Sequence, residues 1–405
     1  MKKILFIHHG KGLGGAPLSL LYLVESLDTT KYKPIVLFLH QSEVIDLFKE
    51  KGITTLGPAN VYDFAHTKIW SFNWYHAHHL ARAIKDTFKT ILQIAPTLFD
   101  EIKPDLVHLN TSSLLGWGIA ANKKNIPVVW HIREPLAPGY LGMRKKIVQQ
   151  IVKHYAHAIV PICKHDATPW INNLKTHVVY NAVSEHYFNQ TCDSDQFLAH
   201  HKIPPKVPKI LFLGGLSREK GTLEILKIFK KVLERVPHAK LLLAGYLHKP
   251  LKNWKYTLSQ FYPASSYAHN VHERLKELGS SVIQLGPIRN VPAAMTASNV
   301  VVFPATVGHF ARPIIEAGFM KRPVVASALA PLDELVIDKK TGYLVDINNH
   351  VLWAEKLCLL LTDTHHARVM GDAAYVFCKE KFSLPEQVKK VEKIYTQLLN
   401  KESHG

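Results

Sequence analysis

The feature that most constrains this chain is a repeated succession of short, continuously apolar runs separated by longer helix-compatible stretches. In the first half the runs are Ile4–Ile7, Ile35–Leu39, Leu106–Leu109, Val128–Trp130, Ala158–Val160 and Val178–Tyr180. Most lack apolar–polar alternation, so each strand expects cover on both faces, as in a parallel sheet sandwiched between helices. The pattern pauses between Asp193 and Pro208, a polar segment with Pro204, Pro205 and Pro208 that reads as a linker. It restarts with Ile210–Leu213, Leu241–Ala244, Val282–Leu285, Val300–Phe303, Val324–Ala326 and Tyr343–Val345. Two such series predict an α/β chain of two Rossmann-like domains, residues 1–190 and 206–375, with parallel sheets facing across a cleft. Near the end, Val388, Val391, Ile394, Tyr395 and Leu398 recur at helical spacing and predict a terminal amphipathic helix.

Length and charge narrow the class. At 405 residues the chain exceeds one ordinary hydrophobic core. No run of about 18 apolar residues predicts a membrane-spanning helix. The N-terminal apolar stretch is too short for a secretory signal and runs straight into glycines, so a cytoplasmic protein is expected. Cys163, Cys192, Cys358 and Cys378 are scattered, without metal-ligand spacing, and read as free thiols. The histidines His76, His78 and His79 lack an accompanying carboxylate or cysteine, and no metal site is expected. A formal charge of +18 favours an anionic partner. No nucleic-acid motif accompanies it, so nucleic acid is not the expected partner. Two aromatic and basic stretches, from Ile69 to Tyr75 and onward to Phe99, and from Tyr246 to Tyr262, suit an interfacial membrane contact, an acceptor-binding lid or ordinary core loops.

Three segments carry candidate chemistry. After the first strand comes a glycine turn, Gly10 to Gly15, which opens a helix; Gly14 and Gly15 allow close approach of a phosphate to unpaired N–H donors. It is not a dinucleotide fingerprint or a P-loop. The second half repeats the device at Gly214-Gly215-Leu216-Ser217-Arg218-Glu219-Lys220-Gly221, where Arg218 as a fork and Lys220 as a point charge suit a diphosphate. The third segment follows Val300–Phe303 and contains His309, Phe310, Ala311, Arg312, Pro313, Ile314, Ile315 and Glu316. Pro313 suits a first helical turn, and Glu316 then stands near its positive end, placed to accept hydrogen bonds from two ribose hydroxyls.

With these segments in view, the chain resembles, over nearly its whole length, the large family of retaining glycosyltransferases with the GT-B fold (family 4 type, glycosyltransferases group 1). The resemblance lies in Gly14-Gly15-Ala16, Tyr180-Asn181-Ala182-Val183, Leu216 to Gly221, Gly286 to Pro292, Phe303-Pro304, Glu316-Ala317 with Arg322 to Ser327, and the end from Phe382-Ser383. It implies that residues 376–405 cross back to the first domain. It also implies metal-independent transfer of a sugar from a nucleotide diphosphate sugar to a hydroxyl of a glycan or lipid-linked acceptor, with retention and without a cofactor. Lys220 would stabilise the leaving diphosphate and Glu316 would hold the ribose. Backbone at Ile314 and Ile315 would meet phosphate and ribose, Arg289 the base, and His131 or Arg133 the transferred sugar. Two positions depart from the family pattern. Gly215 stands where an arginine is usual, with Arg218 as the nearby substitute. Gly308 stands where a glutamate usually precedes Glu316 by eight positions, with His309 as the neighbouring candidate for its role. A nucleotide-sugar epimerase of the same fold, or a weakly catalytic GT-B module on an anionic surface, are the alternatives.

Overall fold

A computed structural model describes residues 1–10, 12, 14–64, 77–139, 142–189, 192–247 and 263–401. The aromatic stretch Ile69–Tyr75, His76 and most of Tyr246–Tyr262 lie outside them. The chain divides into two compact units: Met1–Ala182 together with Phe382–Gly405, and Val183–Lys381.

In the N-terminal unit six parallel strands are described: β1 Lys2–His8, β2 Tyr32–Phe38, β3 Thr54–Leu56, β4 Leu106–Leu109, β5 Val128–Ile132 and β6 Ala158–Pro161. Their order is β3-β2-β1-β4-β5-β6. The absence of alternation in the apolar runs has a direct cause. Leu5 and Ile7 enter one buried cluster while Ile4 and Phe6 enter another, so helices cover both faces of the sheet. In the second unit β7 Lys209–Phe212, β8 Lys240–Ala244, β9 Val282–Gly286, β10 Val300–Phe303, β11 Val324–Ser327 and β12 Gly342–Val345 follow the same plan. Their order is β12-β11-β10-β7-β8-β9, which is the first sheet's order read from the other end. Each unit therefore reverses strand order beside its first strand, between β1 and β4 and between β7 and β10. Such switch points, at the carboxyl ends of strands, are where open α/β sheets hold ligands.

Two local expectations change, and one strand was not foreseen. Val178–Tyr180 is not a strand. His177 and Val179 donate N–H bonds to Ile159 and Pro161 of β6, but the only bridge there is a single one at Thr176. The three-residue edge strand β3 was too short to show a period. The segment 193–208 is not a linker: Ser194–His200 is a helix of the second unit, capped by the Asp193 carboxylate accepting the Gln196 N–H at 2.8 Å.

The terminal region is two helices, Thr364–Phe382 and Leu384–Lys401. Pro385 has no N–H to donate to the Lys381 carbonyl four residues back, so the first helix does not run on through it. The second helix buries Val388, Val391, Ile394 and Tyr395 against Ile4, Phe6 and Val36 of the N-terminal unit. At about 1.5–3 kcal/mol per large apolar side chain, this seam holds the last segment of the sequence onto the first sheet. Among the described residues no helix is long and apolar enough to cross a membrane.

Candidate functional site

In the second unit the exits of β7 and β10 flank the switch point and are zipped together. The Thr306 N–H donates to the Glu219 carbonyl at 2.9 Å and the Thr306 hydroxyl to the Arg218 carbonyl at 2.8 Å. Gly221, at φ +79°, lies so close that a β-carbon would stand 1.7 Å from the Pro304 carbonyl oxygen. The β8 and β9 exits are laced on by the same means, Leu216 N–H to the Tyr246 carbonyl and Gly245 N–H to the Gly286 carbonyl, both at 2.8 Å.

The glycine loop after β7 is closed on itself. The Thr222 hydroxyl donates to the Gly215 carbonyl at 2.6 Å and accepts the Ser217 N–H at 3.0 Å. The first amides of the helix Thr222–Arg235 are already used: Thr222 N–H donates to the Ser217 carbonyl and Leu223 N–H to the Tyr267 hydroxyl. The expected cradle of free amides is therefore reduced, and the loop's positive charge comes from side chains. The Arg218 guanidinium lies 5.2 Å over the Tyr267 ring. Lys220 is half-buried, and its Nζ has no hydrogen-bond partner among the described residues. Burial lowers its pKa, opposed by Glu219. Gly215 departs from the family pattern for a reason the backbone supplies. It sits at φ +58°, and a β-carbon would stand 3.0 Å from the backbone N and O of Tyr246.

On the β10 side, Ala311 precedes the helix Arg312–Phe319, with Pro313 in its first turn. Glu316 and Arg312 are both buried and paired one turn apart. Arg312 Nη2 and Nε donate to a single oxygen, Oε1, at 2.8 and 3.1 Å. Glu316 Oε2 has no hydrogen-bond partner among the described residues. Ile314 and Ile315 are buried in the first turns of the same helix. His309 packs its ring 5.3 Å from Phe303, with Nδ1 2.9 Å from the Val307 carbonyl. Its pKa is lowered by burial and by the nearby Lys220, while the Val307 carbonyl and Glu219 oppose the shift. The structure thus gathers Arg218, Lys220, His309, Arg312 and Glu316 about one switch point. Arg289 stands exposed beyond β9, and no hydrogen bond joins it to them.

In the N-terminal unit Gly14 and Gly15 are exposed at the start of the helix Gly15–Glu25, which has no side-chain cap and no acid in its first turn. His131 and Arg133, at the β5 exit, belong to a buried polar network that sequence reasoning only partly found. Arg133 Nε and Nη1 donate to the side-chain oxygens of Asn110 and Asn181, each at 2.6 Å. Arginine only donates, so it fixes the Asn110 amide, whose Nδ2 then donates to His8 Nδ1 at 3.0 Å. In parallel, the Tyr395 hydroxyl and His108 Nδ1 are hydrogen-bonded at 2.7 Å. His108 Nε2 is in turn hydrogen-bonded to His131 Nδ1 at 3.1 Å. Both chains end on a buried ring nitrogen with no partner, His8 Nε2 and His131 Nε2. His131 and Arg133 line a pocket with Ser19, Tyr180, Asn181 and Gln387. Burial, reinforced by the Arg133 charge, drives the pKa values of His8, His108 and His131 well down. The available signal was a histidine inside a wholly apolar strand, Leu-Val-His-Leu, and another at the end of β1. Among the described residues no cluster of three or more His, Cys, Asp or Glu could hold a metal ion.

Residues 193–377 match the family described as glycosyl transferases group 1. Trehalose synthase of Thermococcus litoralis is 28% identical over 208 residues, covering 50% of this chain and 46% of that protein. D-inositol 3-phosphate glycosyltransferase of Corynebacterium diphtheriae is 27% identical over 199 residues, 48% of this chain and 43% of that one. The chain spans about half the length of the curated relatives it matches. The crystal structure of Anabaena Alr3699/HepE in complex with UDP-glucose superimposes with a TM-score of 0.77 at 18% identity, over 98% of this chain and 100% of that one. That likeness establishes the fold, two Rossmann-like units of the GT-B type.

Proposed function

We propose that this chain, whose residues 193–377 match the glycosyl transferases group 1 family, moves a sugar from a nucleotide diphosphate sugar to a hydroxyl of a glycan or lipid-linked acceptor, with retention and without a metal. The observation that carries the reading is Lys220: a half-buried ammonium, unpartnered among the described residues, at a switch point in the same loop as Arg218 and near His309. A cation there suits the charge that develops on a departing diphosphate.

In this reading the bond from the sugar's anomeric carbon to the diphosphate oxygen breaks, and a bond from that carbon to the acceptor oxygen forms on the same face. The acceptor's proton passes to the leaving phosphate. Lys220 and Arg218 stabilise the diphosphate. Glu316, with Oε1 held by Arg312, offers Oε2 to a ribose hydroxyl. Backbone at Ile314 and Ile315 lies beside phosphate and ribose, and Arg289 serves the base. In the N-terminal unit, Gly14, Gly15, His131 and Arg133 supply donors for acceptor or sugar oxygens.

A surface feature favours a membrane-borne acceptor. Ile84, Phe88 and Leu92, one helical turn apart, are 42%, 59% and 69% exposed, flanked by Arg82, Lys85 and Lys89. An apolar stripe with a cationic margin fits the interface of an anionic bilayer, and hence the inner face of the cytoplasmic membrane. UDP-glucose, present in the Anabaena structure, heads the donors to test. The experiment is release of free nucleoside diphosphate from UDP-, GDP- and ADP-sugars, with and without glycan and lipid-linked acceptors. Acceptor-dependent release supports transfer; an epimerised donor formed without acceptor, or no turnover of any donor, counts against it.

A further inference from the structure

We infer that His309, through Nε2, is the hydrogen-bond acceptor for a hydroxyl of the donor's sugar, in the place where the family pattern puts a carboxylate. This rests on the donor-site reading above and assigns the residue that selects the sugar.

The first observation excludes the usual solution. A β-carbon on Gly308 would stand 1.9 Å from the Ala330 carbonyl oxygen, and that oxygen is backbone. No side chain fits at 308 without moving one of the two segments. In this backbone there is no room at 308 for the carboxylate side chain.

The second observation fixes what His309 offers. A carbonyl oxygen only accepts, so at 2.9 Å the His309 Nδ1 carries the proton given to Val307. The other nitrogen of a neutral imidazole then bears a lone pair. The charged groups facing the ring are Lys220, which favours the neutral form, and Glu219, which opposes it; burial sides with Lys220. Phe303, 5.3 Å away, packs against the ring. His309 thus presents a directed acceptor beside the cation assigned to the diphosphate. Sugar hydroxyls need an acceptor for their protons, and Lys220, Arg218 and Arg312 can only donate.

The test is calorimetric. Wild type, His309→Ala and His309→Gln are titrated with UDP, GDP and ADP, then with UDP-glucose, UDP-N-acetylglucosamine, GDP-mannose and ADP-glucose. The best-bound sugar nucleotide is followed by its singly deoxygenated analogues. His309→Ala is expected to weaken that sugar nucleotide about 10-fold, as for one lost hydrogen bond, and to leave its parent diphosphate unchanged. One deoxy analogue should lose the same factor on wild type and nothing further on His309→Ala. His309→Gln, which keeps an acceptor oxygen, should recover most of the loss. Equal weakening of diphosphate and sugar nucleotide, or no weakening of either, overturns the assignment and leaves the donor site standing. Failure of wild type to bind any nucleoside diphosphate overturns both.

Discussion

A β-carbon on Gly308 would lie 1.9 Å from the carbonyl oxygen of Ala330, so these two backbones are packed at a distance only glycine permits. Gly308→Ala should force one segment aside and cost about 1–3 kcal/mol, the usual range for overpacking. Urea unfolding measures it; an unchanged midpoint would show that the segments are not in contact. Gly308→Glu, which restores the family residue, should be no more stable and should not improve donor binding.

Arg312 and Glu316 form a second such pair, buried and joined by two hydrogen bonds to one carboxylate oxygen. Removing the guanidinium leaves a buried carboxylate uncompensated. Arg312→Ala should lose about 3 kcal/mol of stability, read by the same unfolding measurement. A loss near zero would mean that Glu316 is solvated rather than held.

The buried histidines make the protein acid-sensitive. His8, His108 and His131 have pKa values well below their ordinary value when folded, whereas the unfolded chain takes up protons near pH 6.5. Below that pH the unfolded state binds more protons, so stability falls as pH falls toward the depressed native values. Three such groups give a slope of up to about 4 kcal/mol per pH unit. Unfolding free energies between pH 7.5 and 5 check it, with His131→Gln expected to lessen the slope. A flat profile contradicts the neutral, buried network.

Much of this architecture was legible because its causes are local in the chain. Continuous apolar runs such as Leu241–Ala244 reflect strands covered on both faces, and Gly221, Pro313 and Glu316 announce a turn and a helix start by residue type. What was not legible depends on contacts distant in sequence. The Tyr395–His108–His131 chain joins residues 287 and 23 positions apart. Nothing near Gly308 in sequence indicates that Ala330 fills the space beside it. The amide cradle expected after β7 is reduced for the same reason, since the Tyr267 hydroxyl that occupies the Leu223 N–H lies 44 residues downstream.

The exposed stripe Ile84, Phe88 and Leu92 carries a separate prediction. The full chain should float with vesicles containing phosphatidylglycerol and much less with phosphatidylcholine alone, and Phe88→Ser should reduce flotation several-fold. Equal flotation of wild type and Phe88→Ser would remove this face from membrane contact.

The donor site itself is tested most directly through Lys220. Its Nζ is assigned to the diphosphate, so the relevant measurement is calorimetric affinity of wild type and Lys220→Ala for UDP, GDP and ADP and their monophosphates. We expect one diphosphate to bind wild type and Lys220→Ala to weaken it about 10-fold or more. The corresponding monophosphate should be affected much less, and turnover should fall about 100-fold. Undiminished diphosphate affinity in Lys220→Ala would contradict the account.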